Sequence, residues 1–258
     1  MKQTKVIFMG TPIFAVPILE YLIENTNVVL VITKPDTFEE RKKILTYSPI
    51  KKVALNNNID VITPDKIKDA FEIISEINPD IIITCAYGKI VPENILSIPK
   101  YGAINVHASI LPKYRGASPI QSAILNGEEK TGITIMYMDK GMDTGDIISY
   151  EEEIIDVDDN YQTLSNKLSL LGTNLLAKTL PDIINHKNNR VKQNETLASY
   201  TRLITREDEK IDFSQNGRDI INKIRAFAPN PGAYFKLNDK EIKIIKATFI
   251  NQSIKQTN

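Results

Sequence analysis

Short apolar runs alternate along the chain with stretches of helical period. Val6-Ile7-Phe8 is the first run, and Gly10-Thr11-Pro12 follows it as a turn. Thr11 is placed to cap a helix and Pro12 to occupy its first turn. Phe14, Val16, Leu19 and Tyr21-Leu22 then predict a helix to about Asn25. Val28-Val29-Leu30-Val31-Ile32 and Ile81-Ile82-Ile83-Thr84-Cys85 are apolar at consecutive positions, so both faces of each strand are expected to be covered, as in a buried parallel sheet. Val61-Ile62 is a weaker run between them. Ala103-Ile104-Asn105-Val106, Ile133-Thr134-Ile135-Met136 and Ile147-Ile148-Ser149-Tyr150 add three more strands. Ile67 to Asn78 has helical spacing. A long helix is predicted from about Tyr161 to Asn185, where Leu164, Leu168, Leu171, Leu175 and Leu176 share a face. The alternation predicts an α/β fold built on a doubly wound, mostly parallel sheet.

The pattern stops at 186–199, HKNNRVKQNETLAS, which is polar and without period. Residues 186–206 are read as a linker between a main domain, 1–185, and a C-terminal piece, 207–258. In that piece Ile220-Ile221, Ile224 and Phe227 fit a short helix, and Ala233-Tyr234-Phe235 and Ile242 to Phe249 two strands around a Leu-Asn-Asp-Lys turn. Two strands and a helix are too few for independent stability, so this piece is expected to pack on the main domain or to be an incomplete module.

Composition narrows the picture. At 258 residues, 42% apolar and 25% charged with no net charge, the chain can bury a core and does not self-repel into disorder. One cysteine excludes a disulfide framework, a four-thiolate zinc site and a Cys-x-x-Cys redox pair. No apolar run reaches the roughly 18 residues that span a bilayer. The basic, apolar start breaks at Gly10 and Pro12, which reads as strand and turn rather than signal peptide. The expectation is a cytoplasmic protein without membrane contact. The zero net charge is unevenly spread: residues 1–182 carry 18 basic and 24 acidic side chains, and residues 183–258 carry 14 and 8. A basic tail suits a polyanionic partner, although short segments often deviate this far.

Ligands of open α/β sheets bind beyond the carboxyl ends of the strands, and four loops there carry special residues. Met9-Gly10-Thr11-Pro12 lacks the dinucleotide and P-loop spacings. Cys85-Ala86-Tyr87-Gly88-Lys89-Ile90 has a glycine that lets the main chain approach a ligand, or simply ends a strand; Cys85 itself reads as a small buried hydrophobe. In the third loop, Asn105 and His107 are two apart and so project together from a strand end. A lone histidine is more often structural than catalytic, but the chain has only two, and His186 falls in the polar stretch. The fourth loop, Met138 to Asp146, holds three carboxylates and two glycines. It reads as a turn or a metal loop; the glutamate ending of an EF-hand is missing, and an aspartate here can pair with His107.

NVHASILPKYRGASPIQSAILNG followed by TGITIMYMDKGMDTGDII resembles the folate-dependent formyltransferase family, including its Asn-x-His…Ser-Leu-Leu-Pro-x-x-Arg-Gly signature with Ile110 for the first Leu. MGTPIFAVPILE, TKPD, SPIKKVAL, AYGKIVP and RAFAPNPGAY resemble most the branch that formylates methionyl-tRNA. The chain departs from that branch at Ile13, in place of Asp, in Glu39-Glu40-Arg41-Lys42-Lys43, in place of Gly-Arg-Gly-Lys-Lys, and at Ala228-Pro229-Asn230-Pro231-Gly232. The resemblance implies a Rossmann-like catalytic sheet with a short, incomplete OB-like C-terminal β-barrel. It implies transfer of a formyl group from 10-formyltetrahydrofolate to the α-amine of methionyl-initiator tRNA, by a monomer and without a metal. Asn105, His107 and Asp143 would be catalytic. Tyr87, Gly88, Lys89, Ile90, Ser109, Ile110, Leu111, Pro112 and Asp139 would bind folate, and Arg41, Lys42 and Lys43 the tRNA. A sugar-amine N-formyltransferase would share the catalytic trio, and a truncated folate-binding remnant would keep the fold with little activity.

Overall fold

The computed structural model describes residues 1–39, 44–238 and 240–248. The chain opens with β1 (Lys5–Gly10), a 3-10 turn at Ile13–Ala15 and α1 (Val16–Asn25). β2 (Asn27–Ile32) leads to a small antiparallel hairpin, β3 (Thr37–Glu39) with β4 (Ile44–Thr46), and then to α2 (Pro49–Asn56). β5 (Val61–Ile62), α3 (Phe71–Ile77), β6 (Ile81–Cys85), α4 (Glu93–Leu96) and β7 (Ala103–His107) continue the alternation. After β8 (Arg115–Gly116) and α5 (Pro119–Leu125), β9 (Lys130–Tyr137) and β10 (Ile147–Ile154) form a hairpin, and α6 (Tyr161–Ile184) closes the main domain.

Seven strands make one sheet in the order β10-β9-β7-β6-β1-β2-β5. The five from β7 to β5 are parallel, and β9 and β10 are antiparallel at one edge. The uninterrupted apolar runs have the predicted cause. In β1, Val6 and Phe8 enter one core, with α1 and α6, while Ile7 and Met9 enter a second, with α3 and α4. Ile81 and Ile83 of β6 split from Ile82 in the same way. At about 1.5–3 kcal/mol for each fully buried large apolar side chain, these two layers supply most of the drive to fold.

Three expectations change. Thr11 caps no helix: its hydroxyl reaches the Tyr87 carbonyl at 3.5 Å, and the helical turns begin at Ile13. The stretch read as a linker is fastened to the main domain. Val191 bridges Ile147, and β11 (Tyr200–Thr201) pairs in parallel with β8. Gln193, Glu195 and Ser199 have partners in the main domain, which composition alone does not show. The strand predicted from Ile242 to Phe249 is shifted: β13 (Lys240–Ile244) pairs with β12 (Ala233–Leu237), and Phe249 lies outside the described residues. Among the described residues, the C-terminal piece consists of this hairpin and α7 (Gly217–Phe227), around a small core of Ile211, Ile224, Phe227 and Ala233. Arg225 fastens it by donating to the main-chain oxygens of Asp159 (2.6 Å) and Asp156 (2.8 Å). No described helix is long and apolar enough to cross a membrane.

Candidate active site

Side chains alternate along β7. Ile104 and Val106 enter the core shared with α6, which turns Asn105 and His107 to the opposite face at the carboxyl end of the strand. The Thr84 hydroxyl, next door on β6, lies 2.8 Å from Asn105 Oδ1 and donates to it. The amide is thereby oriented so that Nδ2 faces Asp143 Oδ1, at 3.3 Å. An amide nitrogen carries two hydrogens, so a second remains for a substrate oxygen. His107 is 5% exposed. Its Nδ1 stands 3.6 Å from Asp143 Oδ2, an ion-pair distance, and its Nε2 stands 3.0 Å from the Tyr114 carbonyl oxygen. Both ring nitrogens face acceptors, and only an imidazolium donates to both.

Asp143 sits in the β9–β10 loop with φ +54°, a left-handed conformation that aspartate tolerates. Its Oδ2 also accepts from the Gly116 N–H at 2.8 Å. Two neighbours shape the loop. A Cβ on Gly145 would fall 1.9 Å from the Tyr137 carbonyl oxygen, so only glycine closes the loop against β9. Asp139, exposed at the surface, accepts from the Gly141 N–H (2.9 Å) and the Thr144 hydroxyl (2.7 Å).

The structure thus brings Asn105, His107 and Asp143 together. The other anticipated residues are spread more widely. Tyr87 is buried in the second core, and among the described residues its hydroxyl has no hydrogen-bond partner. Desolvation pushes its phenol up to about 12. Its carbonyl faces the Thr11 hydroxyl at 3.5 Å. Gly88 is exposed beside Lys34, and Ile90 is 72% exposed. Lys89 spends its ammonium on the carbonyls of Pro64 (2.7 Å) and Asp65 (2.8 Å). Ser109 is fully buried and donates to the Lys113 carbonyl at 2.7 Å. Leu111 is buried, with its N–H on Thr134 Oγ1 (3.1 Å), while Ile110 and Pro112 are half-buried. The Thr84 hydroxyl is 3.3 Å from Met138 Sδ, and Met138 packs against the core that holds Tyr87, so the loops after β6 and β9 are neighbours. Arg41, Lys42 and Lys43 lie outside the described residues. Among the described residues, no three His, Cys, Asp or Glu side chains are grouped to hold a metal.

Cys85 is fully buried, and burial pushes its thiol well above the ordinary range. A maleimide at neutral pH is therefore expected to leave the native protein unlabelled and to label it in guanidinium. Rapid native labelling would contradict this placement.

Residues 4–180 match the Formyl transferase family, and residues 203–258 match the family's C-terminal domain. The chain belongs to the formyl transferase family. This formyl transferase is 47% identical over 250 residues to the methionyl-tRNA formyltransferase of Staphylococcus epidermidis, covering 96% of this chain and 81% of that one. It is 46% identical to the enzyme of Staphylococcus aureus strain MW2, over 96% and 80%. Among solved structures it is similar to WlaRD, a sugar 3N-formyltransferase crystallised with dTDP and 5-N-formyl-THF (TM-score 0.72, 26% identity, 98% of this chain and 88% of that one). It is also similar to the N-formyltransferase of Helicobacter canadensis in complex with folinic acid and dTDP-3-aminofucose (TM-score 0.73, 29% identity, 98% and 90%).

Several residues around the trio escaped the sequence reading. Thr84 and Gly116 touch it directly, and Tyr114 holds His107. Arg115 is completely buried. Arg115 and Gly116 were visible as part of the quoted signature, but nothing in the sequence marked Gln193, whose Nε2 donates to the main-chain oxygens of Asp143 and Gly145, both at 2.8 Å.

Proposed function

We infer that this chain transfers a formyl group from 10-formyltetrahydrofolate to the α-amine of methionine on initiator tRNA. The observation that carries the chemistry is the Asn105–His107–Asp143 cluster at the end of β7. The choice of acceptor is supported by the 46–47% identity to methionyl-tRNA formyltransferases over nearly the whole chain. The folate donor is supported by the folates in the two related structures.

In the reaction the amine nitrogen bonds to the formyl carbon, the carbon–N10 bond breaks, and the amine's proton goes to the folate nitrogen. Negative charge gathers on the formyl oxygen on the way. Asn105 offers that oxygen its free amide hydrogen, and one such donor is worth about 10²–10³ in rate. His107 stands beside Asn105 on the same face; an Nε2 hydrogen must leave the Tyr114 carbonyl if it is to donate to that oxygen. Asp143 faces the imidazole Nδ1 at 3.6 Å and relays the amine's proton.

The main chain at 87–90 and the 139–143 loop are suited to the pterin ring, and Ile110 and Pro112 to the folate's apolar body. The side chains of Tyr87, Ser109 and Leu111 are turned inward and would support this cleft, not line it. We assign catalysis to residues 1–185 and tRNA contact to 207–258 and Arg41, Lys42 and Lys43. The setting is the cytoplasm, where tRNA is charged. We take the unit to be a monomer; the trio is complete within one chain.

The deciding assay offers the purified chain 10-formyltetrahydrofolate with either methionyl-initiator tRNA or a dTDP-amino sugar. Formyl-methionyl-tRNA alone is the expected product. A formylated sugar alone would favour the second reading, which rests on the two sugar-enzyme structures. Folate binding without either product would mark a remnant. Replacing Arg41, Lys42 and Lys43 together by alanine is expected to raise KM for tRNA. It should also flatten the dependence of log K on log salt by roughly 2, from three lost phosphate contacts. An unchanged slope would remove these residues from the tRNA surface.

A further inference from the structure

We propose that residues 193–201 are a positioning strap for the catalytic pair, in which Gln193, oriented by the buried Arg115, holds Asp143 in its working conformation. The proposal rests on the catalytic reading of Asp143 given above.

The argument starts from the five N–H bonds of the Arg115 guanidinium, all of which are used. Nε and Nη2 donate to Gln193 Oε1 at 3.0 and 2.8 Å. Nη1 and Nη2 donate to the two oxygens of Glu195, both at 2.8 Å, and Nη1 also donates to the Tyr200 hydroxyl at 2.9 Å. Glu195 holds this guanidinium charged. Two donors converging on one oxygen fix which end of the Gln193 amide is which. Its NH2 is then forced toward the carbonyls of Asp143 and Gly145. Those two carbonyls bracket the turn that carries Asp143 at φ +54°. Without that donor, both main-chain oxygens lose the partner that ties them together.

The same strap reaches His107. Ser199 Oγ accepts from the Tyr114 N–H at 2.9 Å, and the Ser199 carbonyl accepts from the Arg115 N–H at 2.9 Å. Tyr114 has φ +59°, and its carbonyl is the group facing His107 Nε2. A segment some 50 to 90 residues along the chain thus holds the supports of both reacting side chains. None of these residues touches the reacting atoms; Gln193 acts through Asp143 and Ser199 through Tyr114, the partner of His107.

The sharpest variant is Gln193→Glu. It keeps the size of the side chain and the acceptor for Arg115, but has no N–H for the two carbonyls. The expected result is a 10- to 100-fold lower kcat, the scale of a catalytic group displaced by about 1 Å. KM for folate and for tRNA should each stay within about threefold. Thr196→Ala, on the same segment but bonded only to Asn194, is the control and should match the unaltered enzyme. Gln193→Ala repeats the test without an added charge if the glutamate variant does not fold.

A double-mutant cycle with Asp143→Asn separates positioning from general support. If Gln193 acts through Asp143, the double variant loses no more kcat than Asp143→Asn alone. Losses that multiply, or a Gln193 variant with unchanged kcat beside an inactive Asp143→Asn, overturn the strap and leave the catalytic reading standing. A fully active Asp143→Asn overturns both.

Discussion

Asp143→Asn is expected to lower kcat by about 10²–10⁴, the range for loss of a positioned acid–base group, with little change in fold. The substitution is chosen for what it leaves in place. Asparagine adopts the left-handed conformation at φ +54° as readily as aspartate. Its side-chain oxygen can still accept from the Gly116 N–H, now at 2.8 Å from the carboxylate. What disappears is the negative charge 3.6 Å from His107 Nδ1, the acceptor for the amine's proton and, with the one remaining oxygen on Gly116, the acceptor facing Asn105 Nδ2. Initial rates at saturating folate and tRNA measure the effect, and circular dichroism with a thermal melt reports folding. A rate within threefold of the parent would remove Asp143 from the chemistry. A rate loss matched by a collapsed melt would make it structural.

Gly116→Ala should destabilise the protein and silence it together. Gly116 has φ +106°, and a Cβ there would lie 2.4 Å from the Thr201 carbonyl oxygen. The obstacle is main chain on a paired strand, so it cannot rotate aside. The conformational cost alone is about 1–3 kcal/mol, and at about 2–4 °C per kcal/mol for a chain of this size the melting temperature should fall by about 3–10 °C. To relieve the contact, β8 and β11 must separate, which withdraws the Gly116 N–H from Asp143. Reduced formyl transfer at temperatures where the variant is still folded is the second expected result. An unshifted melt would mean that the strands part freely.

How far the sequence could be read depended on whether a residue's partners were near in the chain. β6 was legible because Ile81 to Cys85 are apolar on both faces, and only a doubly covered sheet buries such a run. Asn105 and His107 were legible because the period of a strand puts i and i+2 on one side. The burial of Arg115 was not, since an arginine in a loop is ordinarily solvated, and the groups that make its burial tolerable, Gln193 and Glu195, lie about 80 residues away in a stretch with no period. β8 and β11 are two residues each, too short to leave a hydrophobic pattern. The burial of Tyr87 was not legible either, because its ring packs in the second core with residues of other strands and helices.

The pairing of β11 with β8 also bears on how such enzymes can be recombined. If C-terminal modules are exchanged between relatives, the polar stretch that begins at 186 looks like the natural place to join them. A junction there would carry in foreign residues at 193, 195 and 199, and with them a different scaffold for the recipient's own Asp143 and Tyr114. The seam that respects the structure falls after Thr201, among the exposed residues that follow β11. Functional inheritance therefore divides later than composition suggests, and a chimera joined early is expected to be faulted in catalysis even with its C-terminal module whole.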